Sequence, residues 1–167
     1  LFGIGAQLAT LFVTKHRTPE TLAESFLQKL GPAMVLKVQV AVDMKNEKQM
    51  SITLSGDDMG ILIGKRGQTL DALQYLTNLV VNKGKAGFIS VTLDTENYRA
   101  KREEALTRLA DRLAARAIQT GRQVSLEPTN PYERRILHSS LQKNPRVTTP
   151  SAGDEPYRHV VVVPVEN

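Results

Sequence analysis

Ile63-Gly64-Lys65-Arg66-Gly67-Gln68 decides the reading of this chain. It is a G-x-x-G turn with two cations at its centre, set after a β-hairpin pattern and before an amphipathic helix. Each feature has a physical use. Glycines lack Cβ, so the backbone there approaches another molecule closely and adopts conformations that other residues avoid. A helix starting near Gln68 points unpaired N–H groups and the positive end of its dipole back at the turn, which favours an anion. Lys65 and Arg66 add formal charge, and the combination suits a nucleic-acid backbone. A bare glycine pair at this spacing also marks ordinary tight turns, so its flanks decide the matter. A Walker A loop is excluded, because only three residues separate Gly60 from Gly64 and Arg66 stands where Mg²⁺ binding needs Ser or Thr.

Upstream, Thr18-Pro19-Glu20 predicts a helix start with Thr18 as N-cap and Pro19 at N1. Leu22, Phe26, Leu27 and Leu30 recur at helical spacing, and Gly31-Pro32 predicts the stop. Leu36, Val38, Val40 and Val42 then alternate with polar residues as one strand face. Lys45 to Lys48 turns the chain, and Met50, Ile52 and Leu54 continue the buried face on a second strand. Gly56-Asp57-Asp58 caps a short helix over about Met59 to Ile63. Beyond the turn, Leu70, Leu73, Leu76 and Val80 predict the buried side of a helix ending near Asn82, and Ile89, Val91 and Leu93 predict a third strand.

Helix, strand, strand, short helix, G-x-x-G, helix, strand is an order that resembles a KH domain of the type II arrangement, over residues 18–94. The resemblance implies that Gly64, Lys65, Arg66 and Gly67 clamp the backbone of a single strand while bases lie in an adjoining apolar groove. It offers Ile63, Ile61 and Leu70 as base contacts, against the alternative that they are core residues.

In the second half, Asp94-Thr95 predicts the start of a long helix that ends near Thr120-Gly121, with Leu106, Leu109, Leu113 and Ala117 as its seam. Arg108, Arg112 and Arg116 fall a turn apart on another face, which reads as a solvated stripe paired with Glu104 or Asp111. Gln123 to Glu127 is strand-like. Asn130-Pro131-Tyr132-Glu133 predicts a further helix, with Asn130 as N-cap and Glu133 in capping-box register. On it Arg134 and His138 stand four apart and share a face. Residues 95–167, closing on a strand from Tyr157 to Pro164, resemble the Arg-x-x-x-His family of single-strand-binding domains. That resemblance implies Arg134 pairing with phosphate through its planar fork. It implies His138 bonding to or stacking on a base, and Arg135 assisting. Tyr132 either stacks on a base or packs the helix entry.

A KH half followed by an Arg-x-x-x-His half resembles the bacterial Jag family, also known as SpoIIIJ-associated, KhpB or EloR proteins. The expected fold is therefore α/β (α+β), two small domains with helices packed on a short sheet in each. Leu1-Phe2-Gly3-Ile4-Gly5-Ala6 resembles the tail of the Jag N-terminal domain. Residues 1–17 are accordingly expected to belong to it, and without an initiator Met the chain reads as part of a longer one. The family implies single-stranded RNA as ligand, with single-stranded DNA as an alternative, and a role in cell elongation and division. It also implies a small KhpA-like KH protein as partner, a homo-oligomer, and a functional link to the YidC/SpoIIIJ insertase.

Composition agrees with a binding protein. Net charge is +5, from 22 Lys/Arg against 17 Asp/Glu. Residues 19–94 carry eight of each sign, whereas residues 95–167 carry twelve basic against nine acidic, or +3. The first half must then rely on local clamping at Lys65-Arg66, helped by the basic second half. The absence of cysteine suits a reducing cytoplasm. His16, His138 and His159 lack metal-ligand spacing, and no nucleophile elbow or carboxylate cluster appears, so neither catalysis nor a cofactor is expected. Two functions remain open: RNA binding without catalysis, or an adaptor whose KH surface pairs with another KH protein.

Overall fold

Thr18 caps the first helix by accepting a hydrogen bond from the Thr21 amide at 3.3 Å, and Pro19 opens α1 (Pro19–Ala33). The computed structural model describes residues 18–84 and 87–165. The expectation for residues 1–17 lies outside the described residues. Pro32 falls inside the last turn of α1, and the buried face runs through Ala23, Leu27 and Gly31. The helix therefore runs through Gly31-Pro32 to Ala33 instead of stopping there, and Gly31 is a packing residue: a Cβ on it would meet the Leu36 carbonyl oxygen at 3.0 Å and Val38 at 3.3 Å. The small residue lets the helix lie close to the strand that follows.

That strand, β1 (Val38–Asn46), pairs antiparallel with β2 (Gln49–Gly56) in the register Val40↔Leu54 and Val42↔Ile52. Asn46 makes the turn compact by accepting from the Lys48 amide at 2.9 Å. Met50, Ile52 and Leu54 are buried as their alternation predicts. The short α2 (Met59–Ile63) buries Met59 and Leu62, and α3 (Gln68–Asn82) leads to β3 (Ser90–Thr95) in a sheet of order β1-β2-β3.

Side-chain amides on α3 cover backbone groups of the β3 segment. Asn82 gives to the Ile89 carbonyl and accepts from the Ile89 amide, at 2.8 and 2.7 Å. Asn78 does the same for Val91 at 3.2 and 2.9 Å, and Gln74 accepts from the Leu93 amide at 2.9 Å. Three amides four residues apart therefore imitate a neighbouring strand and satisfy groups that an edge would otherwise expose. This arrangement fixes the rotation of α3. Leu70, Leu73, Thr77 and Val81 are its buried residues, whereas Leu76, expected in the core, is 43% exposed.

The second sheet has β7 (His159–Pro164) at its centre, flanked by β4 (Val124–Ser125) and β5 (Val147–Thr148), with β6 (Ser151–Ala152) also paired to it. Long α4 (Tyr98–Thr120) and α5 (Pro131–Leu141) pack on this sheet. Leu106, Ala110, Ala114 and Ala117 of α4 meet Leu137, Leu141, Val147, Val160 and Val162 in one core. Three alanines on the inner face of α4 let its neighbours approach closely. Asp94-Thr95 ends β3 instead of opening α4, because Thr95 is wholly buried as the last strand residue. Gly121, in the left-handed conformation at φ 62°, ends α4 as expected.

The described residues divide into two compact units. One runs up to Leu62 and resumes over Thr69–Leu93, and the other joins Ile63–Gln68 to the chain from Asp94 onward. The G-x-x-G turn thus groups with the second unit. Among the described residues, no helix is long and apolar enough to cross a membrane.

Candidate nucleic-acid interface

The turn is built by its backbone. Gly64 adopts φ 69° with ψ −168°, and Gly67 adopts φ 82°, both in the left-handed range that favours glycine. A Cβ on Gly67 would stand 2.7 Å from the Tyr98 ring, so the turn also lies against α4 at that point. Between the glycines, Arg66 is left-handed too, at φ 57° and ψ 30°. That conformation costs a non-glycine residue on the order of 1–3 kcal/mol.

What holds Arg66 there is its side chain. Nη1 donates to the Pro128 carbonyl at 3.1 Å, and Nη2 pairs with the Glu127 carboxylate. The two cations of the turn therefore differ. Arg66 is 31% exposed and anchored, while Lys65 is exposed and meets no carboxylate among the described residues. Ile63 is half-buried beside them. Leu70 is wholly buried, which assigns it to the core, and Ile61 is exposed.

The second motif is built on α5. Asn130 accepts from the Glu133 amide at 2.8 Å, as its cap position predicts. Glu133 does not close a capping box: its buried carboxylate bonds to Arg102 Nε at 2.7 Å, tying α5 to α4. A buried carboxylate needs a cation more than it needs a second backbone donor.

Arg134 projects from the next position into the fold, with its side chain only 9% exposed. Its guanidinium donates to the Thr129 carbonyl, to the Arg158 carbonyl at 3.5 Å, and to the Glu155 carboxylate. It pins the start of α5 to the approach of β7. His138, one turn on, is held at both nitrogens. Nδ1 lies 2.9 Å from Thr149 Oγ1 and Nε2 lies 3.0 Å from Ser151 Oγ. Hydroxyls give or accept, so a neutral imidazole satisfies both bonds with one proton.

Burial holds the His138 imidazole below its ordinary value of 6.5, and the charges of Arg134 and Arg158 press it further in the same direction. A folded-state value below the unfolded one means the unfolded chain takes up the proton first as pH falls. The His138 contribution to stability is therefore complete above about pH 6.5 and is lost as pH drops through the folded-state value. Urea denaturation of the wild type and His138→Gln at about pH 7.5 and about pH 5.5 checks this. The wild type should lose more stability on acidification, and equal losses would remove the imidazole as the source.

Arg134, Arg135 and His138 line one cleft of about 620 Å³ with Ser139, Thr149 and Arg158. Arg135 is exposed, as is Tyr132 at 62%. Arg158 carried no signal in the sequence, since it lies twenty residues past His138 just ahead of β7; closure of the sheet brings it to the cleft. Glu127 and Glu155 were invisible for the same reason. Among the described residues, no group of three acidic, His or Cys side chains is placed to hold a metal.

Comparison with known proteins gives matches in both halves. Residues 20–93 match the KhpA/KhpB KH domain model, and residues 104–164 match the model of the Arg-x-x-x-His domain. The chain is 51% identical over 161 residues to the RNA-binding protein KhpB of Clostridium symbiosum, covering 96% of this chain and 72% of that one. It is 36% identical over 160 residues to the RNA-binding protein KhpB of Bacillus subtilis, covering 95% and 76%. With the protein of the same name from Lactiplantibacillus plantarum it shares 38% identity over 133 residues, covering 78% of this chain and 41% of that relative.

Proposed function

The chain belongs to the KhpB family, with a KH domain followed by an Arg-x-x-x-His domain, and from that premise we propose that it binds single-stranded RNA without catalysing a reaction. The observation that carries the reading is that cations without a carboxylate partner among the described residues stand at both motifs. Lys65 is exposed on the glycine turn, and Arg135 and Arg158 line the cleft over α5. The relatives at 51% and 36% identity bear the name RNA-binding protein, which supports RNA over DNA as the ligand. In the cell we place the protein in the cytoplasm, as a regulator of cell elongation and division.

Phosphate contacts release counterions, so log affinity should fall linearly with log salt, by about 0.7 for each phosphate neutralised on a single strand. Fluorescence anisotropy of a labelled oligoribonucleotide across a KCl titration measures it. A flat response would sink the proposal.

A second reading is favoured by one feature of α3. Tyr75, Leu76 and Leu79 are 63%, 43% and 52% exposed on adjoining positions of the helix. Exposed apolar side chains grouped in this way suit a protein surface. The partner that fits is a small KhpA-like KH protein or a second copy of this chain, with any link to the YidC/SpoIIIJ insertase following from that pairing. Sedimentation velocity of the chain, alone and mixed with such a KH protein, tests it: unchanged coefficients exclude the pairing.

A further inference from the structure

The second unit carries another cavity, of about 260 Å³, that shares no lining residue with the cleft over α5. Leu106, Leu109 and Leu113 of α4, with Leu126 just beyond β4, form its apolar wall. Leu109, Leu113 and Leu126 are only half-buried, so the fold leaves part of that wall uncovered. Its rim is polar, and includes Arg66 of the glycine turn together with Glu127 and Thr129 of the β4–α5 connection. Two of these groups have hydrogen-bonding capacity that the fold does not use. Thr129 is only 9% exposed, yet its hydroxyl has no partner among the described residues. Buried hydroxyls are normally paired, so an unpaired one beside a cavity points to a ligand. The Glu127 carboxylate is 74% exposed and gives Oε2 to Arg66, while Oε1 meets no donor among the described residues.

We propose that this cavity is a guanine-selective subsite for the strand held at the glycine turn. The assignment rests on the RNA-binding reading above and adds base selectivity to it. Single-stranded bases are read on their Watson–Crick edges, and a carboxylate there only accepts. Guanine alone presents two adjacent N–H donors on that edge, from N1 and N2. Adenine and cytosine set a ring-nitrogen acceptor beside their amino group, and uracil flanks its one N–H with two carbonyls, so each turns an acceptor toward the carboxylate. The Thr129 hydroxyl, which donates as well as accepts, supplies the donor that guanine O6 needs. The leucine wall covers the apolar face of the ring. Arg66 offsets the Glu127 charge, which keeps the carboxylate from repelling the phosphates of the strand. Arg66 also fixes the place of the subsite, because it lines the cavity and directly follows Lys65 in the turn. A phosphate at Lys65 and a base at Glu127 thus stand on either side of one arginine.

The test uses the full chain and short fluorescein-labelled oligouridines that carry one guanosine, adenosine or inosine, placed in turn at each position. At the best position, anisotropy should show the guanosine strand binding roughly tenfold more tightly than the adenosine strand, as for one bidentate base contact. Inosine lacks the N2 amino group and should lose about tenfold against guanosine, the value of one hydrogen bond to a charged acceptor. Glu127→Gln offers one acceptor and one donor in place of two acceptors, so the guanosine-to-adenosine ratio should fall severalfold. Thr129→Val keeps the side-chain shape and breaks no hydrogen bond of the free protein, so it should lower the same ratio while leaving the melting temperature in place. Equal affinity of the wild type for all three strands would overturn the subsite and leave RNA binding standing. A guanosine preference that survives intact in both variants would also overturn it, since the base would then be read elsewhere. Failure of the wild type to bind any of the strands would bring down the RNA reading itself, and the subsite with it.

Discussion

Arg134→Ala is expected to destabilise the second unit by about 2–3 kcal/mol, the cost of orphaning buried acceptors and breaking a largely buried ion pair. The guanidinium is 9% exposed, and three acceptors depend on it. Glu155 is 53% exposed and rehydrates when its partner goes, so the carbonyls of Thr129 and Arg158 account for most of the loss. A deletion of that size in a unit of this length lowers the melting temperature by on the order of 10–20 °C. Calorimetry should show the change in the transition of the second unit, with the first unit melting as before. Arg134→Lys should recover little, since one ammonium cannot reach three acceptors that a planar fork satisfies together. Equal melting of Arg134→Ala and wild type would mean that this guanidinium is free for a ligand, and would favour its direct contact with RNA.

Lys65→Asp is expected to weaken RNA binding by on the order of 10–100-fold, as a positive contact becomes a repulsive one. The melting temperature should stay within about a degree, since surface changes away from any partner are worth little. Its neighbour should differ in stability. Arg66→Asp removes the bond to the Pro128 carbonyl and sets a carboxylate beside Glu127, so it should lower the stability of the second unit as well as affinity. The pair of variants separates a ligand contact from an internal anchor within one dipeptide. If Lys65→Asp bound RNA as the wild type does, the turn would not be a contact and the cleft on α5 would have to carry the binding.

The G-x-x-G turn and the Arg-x-x-x-His helix were legible because both depend on local chemistry. Gly64 and Gly67 take φ values that glycine favours, Thr18 and Asn130 cap the helices they precede, and Gly121 ends α4. Met50, Ile52 and Leu54 alternate because a strand exposes two faces. Periodicity was less informative about rotation within a helix. Leu76 fits the apolar pattern of α3 as well as Thr77 does, yet the amides of Gln74, Asn78 and Asn82 turn Thr77 inward and Leu76 outward. Likewise Glu133 fits a capping box, and only the approach of Arg102 on α4 diverts it.

The residue types and spacings of this chain, acting over a turn or two of backbone, determined which elements form, where they start and stop, and where two cationic motifs lie. Tertiary structure alone decided which of those cations are available. Arg66 meets Glu127 and Arg134 meets Glu155 across 61 and 21 positions of sequence. A charge is free or spent according to what the folded chain brings within hydrogen-bonding reach, and that distance has no counterpart in linear spacing.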